Sequence, residues 1–306
     1  MKVNKTMNLF TEQINSWQDW GQVFQSISAF TPLVRYIMQK ENLSKAEIKN
    51  LTPGTNAVFR VGDYVIKIFA PKESGKDQTP DMKTEIFASK RANALGIAAP
   101  KVIADGFICD KYRFGYLITE YINGQEFLKA DKEMTPDMKI NAGQQLRQIS
   151  DAMNTPCEPF NDIDIFSDEY VKSRFAEFPE RFRKERLSYI KDHCYSTSVF
   201  VHGDLFGDNV IVFDNSELYI IDFADAVLAP VCYEYALVAI DFFRFDKHLM
   251  KGFFGDIGLD RLTEICFDGV LIHNFGDDVV NEHLGKPEEF KCLDDLRKRM
   301  YEKIQL

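Results

Sequence analysis

This chain of 306 residues has no apolar run near the roughly 20 residues that cross a bilayer; its longest, VIKIF and ALVAI, are core-sized. The opening MKVNKTMNLF lacks the apolar segment of a secretion signal. Both absences predict a soluble, cytoplasmic protein with no membrane partner. Cysteine is scarce: six residues at 109, 157, 194, 232, 266 and 292, none in a CxxC pair. That spacing excludes a zinc ribbon or a thioredoxin-like site, and buried free thiols are expected. Histidine is rarer still, and His193, His248, His273 and His283 show no metal-ligand spacing, so all four read as structural or surface residues. Positive charge is in deficit, with 37 Lys and Arg against 47 Asp and Glu and a net charge of −10. Phosphate neutralisation needs clustered cations, so no nucleic-acid partner is expected. Internal repeats and low-complexity segments are also missing.

What is present suffices for a core: 45% apolar residues and 27% charged. The length suits two lobes sharing a cleft. Charge is divided unevenly along the chain. The first 120 residues hold 16 Lys and Arg against 12 Asp and Glu, which leaves 21 against 35 for the remainder, so +4 and −14. Such a division suits a polyanion held by the first part and a cation by the second.

Hydrophobic spacing predicts helix within 8–50, starting anew at Thr31-Pro32, with Trp17 and Trp20 as packing residues. LTPGTNAVFRVGDYVIKIF reads as strand, turn, strand, with Gly62-Asp63 as the turn. A loop at 71–80 precedes a helix over 81–95 that ends at Gly96. Short strands follow near 101–108 and 114–119, and Asn123-Gly124 marks the lobe boundary. Three segments result: a helical extension over 1–50, a first lobe over 51–122 and a second over 123–306. The last is mostly helical, as at 136–153 and 167–191, around a β island of SVFVHGDL, NVIVF, the turn DNSE and LYIIDF. Helices resume near 231.

The β island carries the most specific signal. His202, Asp204 and Asn209 form H-G-D-x-x-x-x-N, and Asp222 follows at the end of an apolar run. Asp222 and Asn209 offer hard oxygens of the kind Mg²⁺ takes alongside substrate phosphates. Asp204 is then left to orient an attacking hydroxyl and accept its proton. In the first lobe, Lys67 lies mid-strand among apolar neighbours, a costly place without a counter-charge or a phosphate. Glu85 can supply the charge and leave the ammonium fixed against nucleotide phosphates. PGTN, with Thr55 and Asn56, can cover phosphates with backbone N–H groups.

With these residues in order, the sequence resembles the aminoglycoside phosphotransferases and their relatives among protein-kinase-like small-molecule kinases. The resemblance runs from about 51 to 245 through VIKIF, TEIFASKRANALG, ITEYINGQEF, HGDLFGDN and IIDFADA. It implies an α+β, bilobal protein-kinase-like fold: an N-lobe antiparallel sheet with one main helix, and a mostly helical C-lobe. It further implies Asp204 as catalytic base, Asn209 and Asp222 as Mg²⁺ ligands, and Lys67 paired with Glu85 on the α- and β-phosphates of ATP or GTP. Backbone groups of Glu120 and Ile122 would meet the purine, and His202 would pack behind its loop. The sequence departs from the family's pattern in keeping a single loop glycine, Gly54. It also has Ala224 after Asp222-Phe223, and Glu234 where aspartate is common.

The expected activity is a Mg²⁺-dependent phosphotransferase acting on a hydroxyl of a small, cationic molecule such as an aminoglycoside, with antibiotic resistance as its setting. Choline, homoserine and sugar-type acceptors stay open. So do a protein Ser/Thr kinase, a non-catalytic nucleotide-binding module and, remotely, a metal-dependent hydrolase. Asp225 reads as a turn acid or a second metal contact, and the phenylalanines of 242–254 as helical core or acceptor lining.

Overall fold

The structure, a computed structural model, describes residues 8–52, 54–213 and 216–305. Pro53 of PGTN, two residues of the DNSE turn and most of the opening MKVNKTMNLF lie outside the described residues. The chain forms two compact units. One takes the described residues through Ala94 together with Ala99–Asn123; the other takes Leu95–Ala98 and the chain from Gly124 onward.

The first unit is built on an antiparallel sheet of five strands: β1 (Ile48–Asn50), β2 (Ala57–Val61), β3 (Tyr64–Ile68), β4 (Val102–Cys109) and β5 (Arg113–Glu120). Their order is β1-β2-β3-β5-β4. Alternation decides which face is dry. Ala57, Phe59 and Val61 of β2 are buried while Val58 and Arg60 are only partly so. The Gly62-Asp63 turn joins β2 to β3, with Gly62 at φ 63°, where a side chain would be strained. The helix Thr79–Ala94 ends at Gly96, at φ 71°, as its sequence predicts.

The segment expected as a helical extension contributes to the same core. Phe10, Trp20, Phe30, Val34 and Ile37 bury with Phe59, Ile66 and Phe114 of the sheet. Phe30 lies with its ring centroid 4.9 Å from Phe10, 5.9 Å from Trp20 and 5.4 Å from Phe59. Among the described residues of this segment helix covers only Trp17–Val23 and Ile27–Lys40, and Ile48–Asn50 is strand. The second helix starts earlier than Thr31-Pro32 predicts. The Ser26 hydroxyl accepts the Ala29 N–H at 3.3 Å and so caps it, which leaves Pro32 inside the helix.

The second unit is mostly helical. Two small antiparallel sheets interrupt it: β6 (Gln125–Glu126) with β8 (Val210–Val212) and β9 (Leu218–Ile220), and β7 (Val199–Val201) with β10 (Val227–Ala229). Ala98 belongs here because its carbonyl accepts the Ile220 N–H at 2.8 Å. The helix Pro136–Met153 packs on the helix Lys247–Phe254 at Gly143 and Gly252. A Cβ at Gly252 would stand 2.2 Å from the Ile140 carbonyl oxygen, so only glycine permits this approach. The helix predicted over 167–191 is two, Asp168–Lys172 and Glu180–Asp192. Phe175 between them takes φ 61°. No helix among the described residues is long and apolar enough to cross a membrane.

Candidate active site

In the first unit, register places Lys67 in mid-sheet, opposite Val58 on one side and Leu117 on the other. Its ammonium lies 3.0 Å from Glu85 Oε1 and 2.8 Å from Oε2, and both side chains are almost fully buried. Glu85 comes from the helix Thr79–Ala94, so this pair fastens helix to sheet. A buried pair of this kind is costly to break, because one partner's removal strands the other's charge. The PGTN loop is fastened as well. The Trp20 indole N–H donates to the Thr55 carbonyl at 2.8 Å, and the Asn56 amide oxygen accepts the Ala70 N–H at 3.3 Å. Trp20 is therefore the packing residue that the sequence predicts, with a hydrogen bond added. Glu120 donates its backbone N–H to the Lys101 carbonyl at 3.0 Å, and Tyr121 donates to the Asp63 carbonyl at 2.8 Å. Ile122 follows in irregular backbone.

In the second unit, HGDLFGDN leaves β7 and returns as β8. His202 is fully buried and pinned on both sides of its ring. Its Nε2–H donates to the Ile221 carbonyl at 3.0 Å, and Nδ1 accepts the Asp204 N–H at 3.3 Å. The carbonyl can only accept and the N–H can only donate, which fixes the neutral tautomer. Burial pushes this imidazole down to about 4. Gly203 takes φ 80°, and a Cβ there would stand 2.0 Å from the Asp225 carbonyl oxygen.

Asn209 lies across the loop, its amide nitrogen 2.9 Å from the Asp204 carbonyl and 2.9 Å from Asp204 Oδ2. The Asn209 carbonyl accepts the Ile221 N–H at 2.9 Å, which brings the residue before Asp222 against the same loop. Asp222 itself takes φ 58°, a conformation that aspartate tolerates better than most side chains. Burial, then the charges of Asp225 and Asp222, push the Asp204 carboxyl up to about 7, against the hydrogen bond from Asn209. The charges of Asp225 and Asp222 thus reach Asp204, although no three acidic, histidine or cysteine side chains among the described residues are grouped so as to hold a metal by themselves. Hard oxygens with surplus negative charge fit Mg²⁺, with the amide oxygen of Asn209 as the neutral donor.

Glu234, the acid that the sequence places where aspartate is common, supports this loop. It is fully buried on the helix Val231–Leu237. Its carboxylate accepts the His202 N–H at 2.5 Å and the Asn154 amide at 3.1 Å. The longer side chain reaches the loop, so glutamate supports HGD where the family commonly has aspartate. Burial raises its carboxyl to about 7 despite these donors.

His273 is buried beneath the same loop. Its ring lies 4.0 Å from that of Tyr233, and its Nδ1 accepts the Phe275 N–H at 3.0 Å. Burial lowers it to about 3. An unfolded chain binds this proton below about pH 6.5 and the folded chain does not, so acid favours unfolding. The stability margin of the wild type over His273→Gln should therefore shrink by about 2 kcal/mol between pH 7 and pH 5. Urea denaturation at both pH values measures it, and a constant margin would refute a dry, neutral His273.

A cavity of about 420 Å³ opens within the second unit beside this loop. Gly203 and Asp225 line it, with Glu169, Tyr170, Arg174 and Asn274. The phenylalanines of 242–254 do not; Phe242, Phe243, Phe253 and Phe254 are buried core.

A buried Lys–Glu pair on a five-stranded antiparallel sheet, and an HGDLFGDN loop beside Asp222, define a phosphotransferase of the kinase-like class. The sequence profile of the phosphotransferase enzyme family matches residues 47–264, and the chain belongs to that family. Solved structures share its fold. A GDP complex of wild-type aminoglycoside 2'-phosphotransferase-IIIa is 20% identical, with a TM-score of 0.59 over 89% of this chain and 94% of that one. A choline/ethanolamine kinase family protein from Mesorhizobium loti is 15% identical, with a TM-score of 0.52 over 85% and 92%. A comparison with curated proteins returned no match.

Proposed function

We propose that this small-molecule kinase moves the γ-phosphoryl group of ATP or GTP to a hydroxyl of a small acceptor, with Asp204 as the base. The observation that carries the reading is Asp204 itself: a carboxyl near neutrality, oriented by Asn209, in a loop fixed by His202 and Glu234. A base poised near the working pH suits proton transfer. The acceptor oxygen gives its proton to Asp204 and forms the new P–O bond. The bond from the γ-phosphorus to the bridging oxygen breaks, and nucleoside diphosphate leaves. Asn209 and Asp222 are the residues to hold Mg²⁺, which when bound offsets charge on the phosphates.

Lys67, held by Glu85, is assigned to the α- and β-phosphates, and the Thr55 and Asn56 loop to phosphate coverage. The N–H of Glu120 is committed to Lys101, which leaves its carbonyl for the purine, with the backbone of Ile122 alongside. Solved structures of the same fold include complexes with GDP, with GDP and kanamycin, and with streptomycin and ATP. The acidity of residues 121–306 favours an acceptor that carries an amine, aminoglycosides among them.

The direct test follows nucleoside diphosphate formation with ATP and GTP against aminoglycosides, amino alcohols and sugars. No rate above the acceptor-free background with any alcohol would overturn the reading. Lys67→Met should weaken nucleotide binding about 10-fold or more, through loss of a charge-assisted contact. Titration of a fluorescent nucleotide measures it, and unchanged affinity would remove Lys67 from the nucleotide's neighbourhood.

A further inference from the structure

Alternation along β3 sends its side chains to two faces of the sheet. Ile66 and Ile68 are buried on one face in a cluster with Phe59 and Trp20. Lys67, between them, points to the other face, where Glu85 meets it from the helix Thr79–Ala94. Register sets Ala57 opposite Ile68 and Val58 opposite Lys67, so Thr55 and Asn56 leave the hairpin at the end nearest Lys67. There the buried indole of Trp20 donates to the Thr55 carbonyl at 2.8 Å. That carbonyl and the Asn56 N–H are opposite edges of one planar trans peptide, so they point in opposite directions. Drawing the carbonyl toward the Trp20 face therefore turns the N–H toward the face of Lys67. Among the described residues no group accepts from this N–H. The Asn56 side chain is engaged elsewhere, accepting the Ala70 N–H at 3.3 Å. Trp17, on the same helix as Trp20, holds the segment that follows β3: the Lys76 ammonium lies 4.2 Å from its ring centroid. One short helix thus reaches both stretches of chain that leave this end of the hairpin.

From this geometry we infer that Trp20 is a positioning residue for the nucleotide: its grip on the Thr55 carbonyl presents the Asn56 N–H to the phosphates that Lys67 holds. The inference rests on the phosphotransferase reading above and deepens its assignment of the Thr55 and Asn56 loop. A backbone donor serves a phosphate only when its peptide plane is already turned the right way. The loop keeps the single glycine Gly54, and nothing lies within 4 Å of where its Cβ would be, so the loop's own packing does not fix that plane. The indole does so before nucleotide arrives, which spares part of the ordering cost of binding. The family profile begins at residue 47, so the donor that orients this peptide is supplied from outside the matched segment.

The test uses the full chain with Mg²⁺ and compares binding of ATP and GTP with binding of adenosine and guanosine, which lack phosphates. Trp20→Phe keeps an aromatic ring in the core and removes the N–H donor. It should weaken triphosphate binding about 3- to 10-fold, the worth of one hydrogen bond, and leave nucleoside binding within about 2-fold. Val34→Ala loosens the same core and keeps the donor, so it should leave triphosphate binding within about 2-fold. Urea midpoints of both variants show that they are folded in the assay. Equal weakening of triphosphate and nucleoside by Trp20→Phe, no weakening of either, or the same triphosphate loss in Val34→Ala would overturn this inference and spare the phosphotransferase reading. A wild-type chain that binds neither triphosphate would overturn both.

Discussion

Asp204→Asn should lower kcat by about 10²–10⁴-fold while nucleotide affinity holds or improves. The substituted amide oxygen can still accept from Asn209, so the loop keeps its shape. What is lost is the carboxylate assigned to take the acceptor's proton. Charge explains the second half of the expectation. Asp225 and Asp222 both act on Asp204, and removing one of three negative charges eases the approach of a polyanionic nucleotide. Steady-state turnover with a responsive alcohol, beside a nucleotide titration, gives both numbers. A non-catalytic nucleotide-binding module would show no change in either, and a variant with undiminished turnover would end the assignment of Asp204 as base.

Phe30→Ala should cost about 3–5 kcal/mol, the range for emptying a buried aromatic site. Phe30 is completely buried, and four rings surround it: Phe10, Trp20, Phe59 and Phe114. Two of those rings belong to β2 and β5, the strands on either side of the one that carries Lys67. The cavity cannot close by moving one side chain, because helix and sheet both border it. Denaturant unfolding should show an earlier midpoint for the first unit. A midpoint within error of the wild type would mean that residues 8–40 do not belong to this core.

The residues of chemistry were legible in sequence because each violates a local rule. Lys67 interrupts an apolar strand, and Asp204 with Asn209 sits between short strands where turn glycines would otherwise suffice. Local structure then provides the partner that the sequence suggests, Glu85 for Lys67, and one that it does not, Asn209 for Asp204. The apolar alternation of β2 and β3, the Gly96 stop and the span 136–153 were legible for the same reason, that period and punctuation agree.

Elsewhere they disagree. Phe175, Phe178 and Phe182 recur at helical spacing within the single helix expected over 167–191. The three rings instead pack on one another, with centroids 4.8, 5.7 and 4.9 Å apart, around a backbone that turns at Phe175. Ring packing has replaced helical packing while preserving its periodicity. β1 and β10 are three residues each, too short to establish any period. The cavity was illegible altogether, because its lining gathers residues from 163 to 274 that share no motif. Glu234 was legible as an acid standing where aspartate is common, but its reach to the His202 N–H and the Asn154 amide was not.

The indole of Trp20 reaching the Thr55 carbonyl has a practical corollary for anyone preparing a shortened protein. The family profile begins at residue 47 and stops at 264. Cutting there would discard Trp20, Phe30 and Ile37, leaving Phe59 and Phe114 bare to water and the Thr55 loop untethered. Homology would mark a tidy excision; the fragment it delivers should be sticky and poorly soluble.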